Sequence, residues 1–137
     1  MLDEDQPVGT ERWRVQGGRG SSAAAEWEGV LAATHVAFDV RLPDLVGGAF
    51  SGTVERRRVG RLSLVDCVCT PFAGQRSTAV MGGTGDGWVG LQIVRRGAER
   101  VIRSRTQQHV LEAGASACGT GRARSASRSS SRSRNGR

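Results

Sequence analysis

The sequence predicts a mainly β protein, an antiparallel sandwich or barrel, with one helix ahead of it and a basic tail behind it. Three observations carry this expectation. Between residues 50 and 114 almost every residue belongs to a short apolar or alternating run. Gly, Pro or Asp separates each run from the next. The only long stretch with helical spacing lies upstream, near Trp27. Short strands at close, regular spacing with glycine punctuation favour antiparallel sheets over alternating β and α units.

Composition sets the outer bounds. A chain of 137 residues has room for one domain with a single core. Its 20 arginines and 13 acids give a formal charge of +7, but the excess is not spread evenly. Residues 122–137 hold six arginines and no acid, whereas residues 1–121 hold 14 arginines and all 13 acids. The high pI is therefore a property of the tail, not a nucleic-acid footprint of the whole domain. Lysine and tyrosine are absent altogether, and an all-arginine basic complement with much Gly and Ala suggests a GC-rich coding sequence. Cys67, Cys69 and Cys118 lack disulfide-framework spacing, which predicts a reducing compartment. The acidic, polar start MLDEDQPVG argues against a signal peptide, and no apolar run approaches the ~20 residues of a membrane span. A cytoplasmic location and no membrane partner are expected.

Residues 1–21 read as a flexible N-terminal segment, because QGGRGSS is polar and glycine-rich. Ser21 or Ser22 then offers an N-cap, and Ala24, Trp27, Val30, Leu31 and Thr34 fall on one stripe. This predicts an amphipathic helix over 22–36, with His35 as its C-terminal cap or a solvated polar residue. DVRLPDLVGG connects it to the first strand at Phe50. ERRRVGR (55–61) reads as a solvated basic hairpin turn in which Gly60 supplies a positive φ.

Alternation sets Leu62, Leu64 and Val68 on one face of the next strand and Val65, Cys67 and Cys69 on the other. Both faces are apolar, as in a central strand buried on both sides, and the cysteines are expected to act as small buried hydrophobes. PFAGQ reads as a turn and RSTAV as a short strand. In WVGLQIV, Val89, Leu91 and Ile93 form one face, and Trp88, Gly90, Gln92 and Val94 the other. Glycine and glutamine beside a tryptophan suit a small-ligand pocket, so Trp88, Gly90 and Gln92 are the candidate ligand-binding residues. They suit an edge or a packing gap equally well.

Signs of catalysis are missing. The chain has no G-x-S-x-G elbow, no P-loop and no H-E-x-x-H. GGTGDG (82–87) lies between predicted strands rather than opening a helix, so it reads as a hairpin loop and not a dinucleotide site. His35 and His109 stand 74 residues apart, and C-x-C lacks a second Cys/His pair at zinc spacing. No catalytic residue, metal site or cofactor is expected, and the protein is not expected to be an enzyme.

The ordered motifs carry a family resemblance. A helix with Trp27 is followed by F-S-G-T-V (50–54), V-G-R-L-S-L (59–64), Arg76-Ser77-Thr78, W-V-G-L-Q-I-V-R-R-G (88–97) and L-E-A-G (111–114). Over about residues 23–114 this resembles the N-terminal, cupin-like (AraC-binding-like) effector-binding and dimerisation domain of AraC/XylS-type bacterial transcription regulators. The resemblance implies an incomplete cupin-like (jelly-roll) barrel over residues 22–114 and a small-molecule effector. It implies no cofactor. Helical association in that family uses segments C-terminal to the barrel that are not found here, so a homodimer is not favoured.

After Gly114 the sequence departs from the family and reads ASACGTGRARSASRSSSRSRNGR. Residues 115–137 have the composition of a disordered Arg/Ser tail. One reading makes it a basic tail that contacts nucleic acid electrostatically, on a free-standing cupin-like binding protein. The favoured reading is a frameshift or truncation ahead of the helix-turn-helix domain, leaving a sensor domain without its DNA-reading half or a nonfunctional fragment. Sequence-specific DNA binding is not expected from this chain alone.

Overall fold

A computed structural model describes residues 9–18, 20–43, 48–76, 89–102, 105–120 and 126–130, with the backbone alone at 118–120 and 126–130. In chain order the elements are β1 (Thr10–Gly17), α1 (Ala23–Thr34), β2 (Asp39–Arg41), β3 (Phe50–Val59), β4 (Leu62–Cys69), β5 (Ala73–Gln75), β6 (Val89–Ile93), β7 (Ala98–Ile102), β8 (Gln108–Glu112), β9 (Ser116–Thr120) and β10 (Ala126–Ser130). They make a three-stranded sheet β1-β3-β4, a five-stranded sheet β2-β5-β10-β7-β8 and the pair β6-β9. Every strand pairing is antiparallel. The described residues are mainly β, with one helix and open antiparallel sheets, as the glycine-punctuated runs predict.

The helix forms where the apolar stripe lies. Ala23, Trp27, Val30 and Leu31 are buried, at the i, i+4, i+7 and i+8 spacing that lines one side of a 3.6-residue turn. Ser21 organises the entry: its hydroxyl donates to the Gly18 carbonyl at 2.6 Å and accepts the Ala23 amide at 3.3 Å. Ser22 spends its hydroxyl on the Glu26 carboxylate instead of capping the backbone. At the far end the His35 amide donates to Leu31 O at 2.8 Å, and the His35 ring lies 2.8 Å from the Thr34 hydroxyl. Glu28 ties α1 to β2 by accepting the Val40 amide at 2.7 Å.

The core lies between α1 and the inner face of the three-stranded sheet. Val15 of β1, Phe50 and Val54 of β3 and the four helical residues form one buried cluster. Register explains why they meet, since Val15 pairs with Gly52 and Trp13 with Val54, and paired residues share a face. Trp27 is fully buried at 0% exposure and stands edge-on to Phe50 at 5.2 Å and to Phe72 at 5.9 Å. Gly52 is what lets the indole so close, because a Cβ there would lie 2.6 Å from Trp27 Cζ3.

Arg56 seals the rim of this core. Its guanidinium lies 5.2 Å over the Trp13 ring, donates to the Ala33 carbonyl at 2.7 Å and donates to Glu11 at 2.7 Å. The Ala33 carbonyl is one of the last four of α1, so the arginine satisfies a helix end that has no intrahelical partner.

Several expectations are corrected. Residues 10–17, within the segment read as flexible, form β1 along residues 50–57 of β3. The stretch 115–137, read as disordered, contributes β9 beside β6 and β10 between β5 and β7. Backbone N–H and C=O groups build a ladder whatever the side chains are, so a polar composition does not forbid it. The basic run 56–58 belongs to β3, and the turn is confined to Gly60-Arg61 between paired Val59 and Leu62. Gly60 has φ +58, the conformation that a two-residue type II′ hairpin needs at its first position. PFAGQ is not simply a turn, since Ala73–Gln75 pairs with β2 as β5.

Strand β4 is not buried on both sides. It has one partner, β3, among the described residues, and Leu62, Leu64 and Val68 are 67%, 59% and 54% exposed. Cys67 is exposed and Cys69 half-buried, and both are free thiols. Of the strand expected at 76–80, Arg76 lies just past β5 and residues 77–80 lie outside the described residues, as do the loop 82–87 and Trp88.

Candidate functional site

The outer face of the three-stranded sheet gathers charge. Register places Arg12 beside Glu55 and Arg14 beside Thr53, with Asp66 and Val68 on the far side of β3. These six residues line an open cleft of 370 Å³. Glu55 is its electrostatic hub: it accepts from Arg12 and, at 3.0 and 2.8 Å, from Arg57. Asp66 is bridged by Arg95, which reaches it from beyond β6. Exposed ion pairs of this kind contribute little to stability, so the face is suited more to charge recognition.

The Arg12 and Arg57 hydrogen bonds hold the Glu55 carboxyl below its ordinary value of 4.5. A carboxylate with a depressed folded pKa contributes stability that is present above its unfolded pKa and lost as pH falls through the folded one. Acidification below the usual carboxylate range should therefore release this contribution. The urea midpoint of Glu55→Gln should fall less between about pH 5 and pH 3 than that of the parent chain. Parallel pH profiles for the two would show that Glu55 carries none of the acid sensitivity.

The three ligand-binding candidates fare differently. Gly90 is half-buried and Gln92 exposed on β6, while Trp88 lies outside the described residues. The predicted alternation holds, but its apolar side is the open one: Val89, Leu91 and Ile93 are 70%, 69% and 62% exposed. Gln92 donates to Glu99 of β7. Burial raises the Glu99 pKa, and the Gln92 bond partly opposes that rise. A second cleft of 410 Å³ is lined by Val101, Gln108, His109, Val110, Leu111 and Ala117. Neither cleft is lined by Gly90 or Gln92.

Sequence reasoning missed Arg12 and Arg14, because the glycine-rich QGGRGSS coloured the reading of everything before the helix. The signal was present in T-E-R-W-R-V-Q, where Trp13 and Val15 alternate with Arg12 and Arg14 at the strand period. Among the described residues no group of three or more His, Cys, Asp or Glu is placed to hold a metal ion. No helix among them is long and apolar enough to cross a membrane.

Among the described residues, an open antiparallel β architecture with one helix packed on a sheet defines the fold class. The chain shares that fold with the AraC-like transcriptional activator CuxR, with a TM-score of 0.68 and 20% identity over 88% of this chain. The match spans 44% of that protein, so the chain covers less than half of its length. No protein-family model and no curated protein matches the sequence.

Proposed function

We propose that this chain acts as the effector-binding and dimerisation domain of an AraC-type bacterial transcription regulator and makes no sequence-specific DNA contact itself. The observation that carries the reading is the shared fold with an AraC-like activator over 88% of the chain. The helix supports it too. A recognition helix presents cations and hydrogen-bonding side chains to DNA, whereas the exposed side of α1 carries Ala25, Glu26, Gly29, Ala32 and Ala33 and the helix has no arginine. The role is regulatory and non-catalytic. Gly90 and Gln92 of β6, and Trp88 outside the described residues, are assigned as the effector-binding residues, and Gln92 already bonds Glu99.

Differential scanning fluorimetry against a panel of sugars, aromatic acids and nucleotides tests this directly. At least one compound should raise the melting temperature, and Gln92→Ala should abolish the shift while leaving the unliganded melt in place. A footprint of the chain on a defined operator, or a panel with no hit, would count against the reading.

The six arginines of residues 122–137 favour a second reading, a free-standing binding protein whose tail contacts nucleic acid. Deleting residues 115–137 would also remove β9 and β10, so charge removal is the cleaner test. Under the second reading, Arg132, Arg134 and Arg137 changed together to glutamine should flatten the salt dependence of binding to random DNA.

A further inference from the structure

We propose that Cys67 and Cys69 form a two-thiolate site for a thiophilic, closed-shell monovalent cation, with Cu(I) as the test ion. The inference rests on β4 and does not depend on the regulatory reading above. Cys67 and Cys69 are two residues apart on an extended strand, so both side chains stand on the same face. Register fixes that face independently, since Cys67 pairs with Val54 and Cys69 with Gly52. That is the inner face of the sheet, where Cys69 packs against the core cluster and Cys67 lies farther along the strand toward the hairpin. Cys67 is exposed, Cys69 is half-buried, and neither is in a disulfide.

A cation displaces both thiol protons. Two thiols and one M⁺ give one bis-thiolate complex of charge −1 and two released protons, with no change of oxidation state.

Geometry chooses between a metal and a disulfide. Residues i and i+2 of an extended strand have Cα atoms about 6.7 Å apart, close to the upper limit of about 6.8 Å for a disulfide and well beyond its preferred 5.5–6 Å. Closing that bond would require β4 to buckle. A cation between the sulfurs removes the demand, because two metal–sulfur bonds of about 2.3 Å let the sulfurs stand up to about 4.6 Å apart.

Ligand count chooses the ion. Zinc requires four ligands in a tetrahedron, and no third His, Cys, Asp or Glu joins these two among the described residues. Two thiolates suffice for a soft ion content with linear coordination, and thiolate is the donor that selects Cu(I) over harder cations.

The test is an anaerobic titration of the full chain with Cu(I) held by a chromophoric chelator. The chain should withdraw one Cu(I) per copy. Cys67→Ser and Cys69→Ser should each weaken binding by more than about 100-fold, the upper end of what losing an outer-sphere partner costs. Cys118→Ser should bind as the parent does. X-ray absorption of the loaded parent should show two sulfur scatterers, and Cu(I) should protect both Cys67 and Cys69 from maleimide alkylation. Retained affinity in the two serine variants, lost affinity in Cys118→Ser, a shell of three or more ligands, or one copper shared between two chains would each overturn the proposal. If circular dichroism shows that the serine variants do not fold, the parent decides the matter alone: alkylation that proceeds unhindered in the presence of Cu(I) overturns it.

Discussion

Replacing Trp27 with alanine should destabilise the protein by about 3–5 kcal/mol, the usual cost of deleting a large aromatic from a core. Trp27 is the hub of that core: it is 0% exposed and meets Phe50 and Phe72 edge-on. Phe50 and Phe72 also meet each other at 6.5 Å, so the three rings support one another. Removing the indole leaves a void lined by two rings that lose their shared neighbour, with little else on α1 able to collapse into it. Domains of this size are stable by about 5–15 kcal/mol, so the variant should fall near or below the threshold for cooperative folding. Urea denaturation followed by circular dichroism reads the effect. Trp27→Phe should cost far less. The indole Nε1 is buried with no hydrogen-bond partner among the described residues, and an unsatisfied buried donor costs about 1–3 kcal/mol. Phenylalanine removes that burden while keeping a ring against Phe50. A phenylalanine variant as unstable as the alanine variant would show that the indole volume, and not ring contact, is what the core requires.

The sequence revealed local periodicity well and long-range coverage poorly, for physical reasons that particular residues make plain. The stripe through Trp27, Val30 and Leu31 announces α1, because helical spacing and burial are set by the same turn. Gly60 marks its hairpin because only glycine adopts its φ without strain. Alternation also sorted β4 correctly into two faces. What it could not show is which face another element covers, so Leu62, Leu64 and Val68 were expected to be buried and are instead open. Coverage depends on partners far away in sequence, and two chemically similar faces carry no mark to distinguish them. Strands β9 and β10 were hidden for a related reason: their ladders are made by the backbone, which every residue carries alike. The candidate site divides in the same way. The alternation of Gly90 and Gln92 against Val89, Leu91 and Ile93 was legible, while the Gln92–Glu99 contact, formed across the Gly97 turn, was not. The charged cleft escaped notice because both of its arginines come from β1, and a short alternating run beside a glycine-rich segment is easily read as part of that segment.

Gly52→Ala should destabilise the protein by about 1–3 kcal/mol. The strand conformation of Gly52 is one that alanine adopts freely, so the cost is steric. An added Cβ would lie 2.6 Å from Cζ3 and 2.8 Å from Cη2 of Trp27, and 3.0 Å from Cζ of Phe50. None of these atoms is the loose end of a flexible chain, since both rings are buried in the cluster they help to form. The indole must tilt, and Phe50 and Phe72 must follow it. This mechanism predicts a specific coupling. Cζ3 and Cη2 belong to the outer part of the indole, which phenylalanine lacks, so the clash should vanish in a Trp27→Phe background. Contacting residues usually couple by about 0.5–3 kcal/mol, and here the double variant should be more stable than the sum of the two single changes by an amount in that range. Equilibrium denaturation of the four proteins in the cycle measures it. Strict additivity would mean that alanine at position 52 destabilises through some route other than the Trp27 ring, and the close packing of β3 against α1 would then not be what fixes glycine at this position.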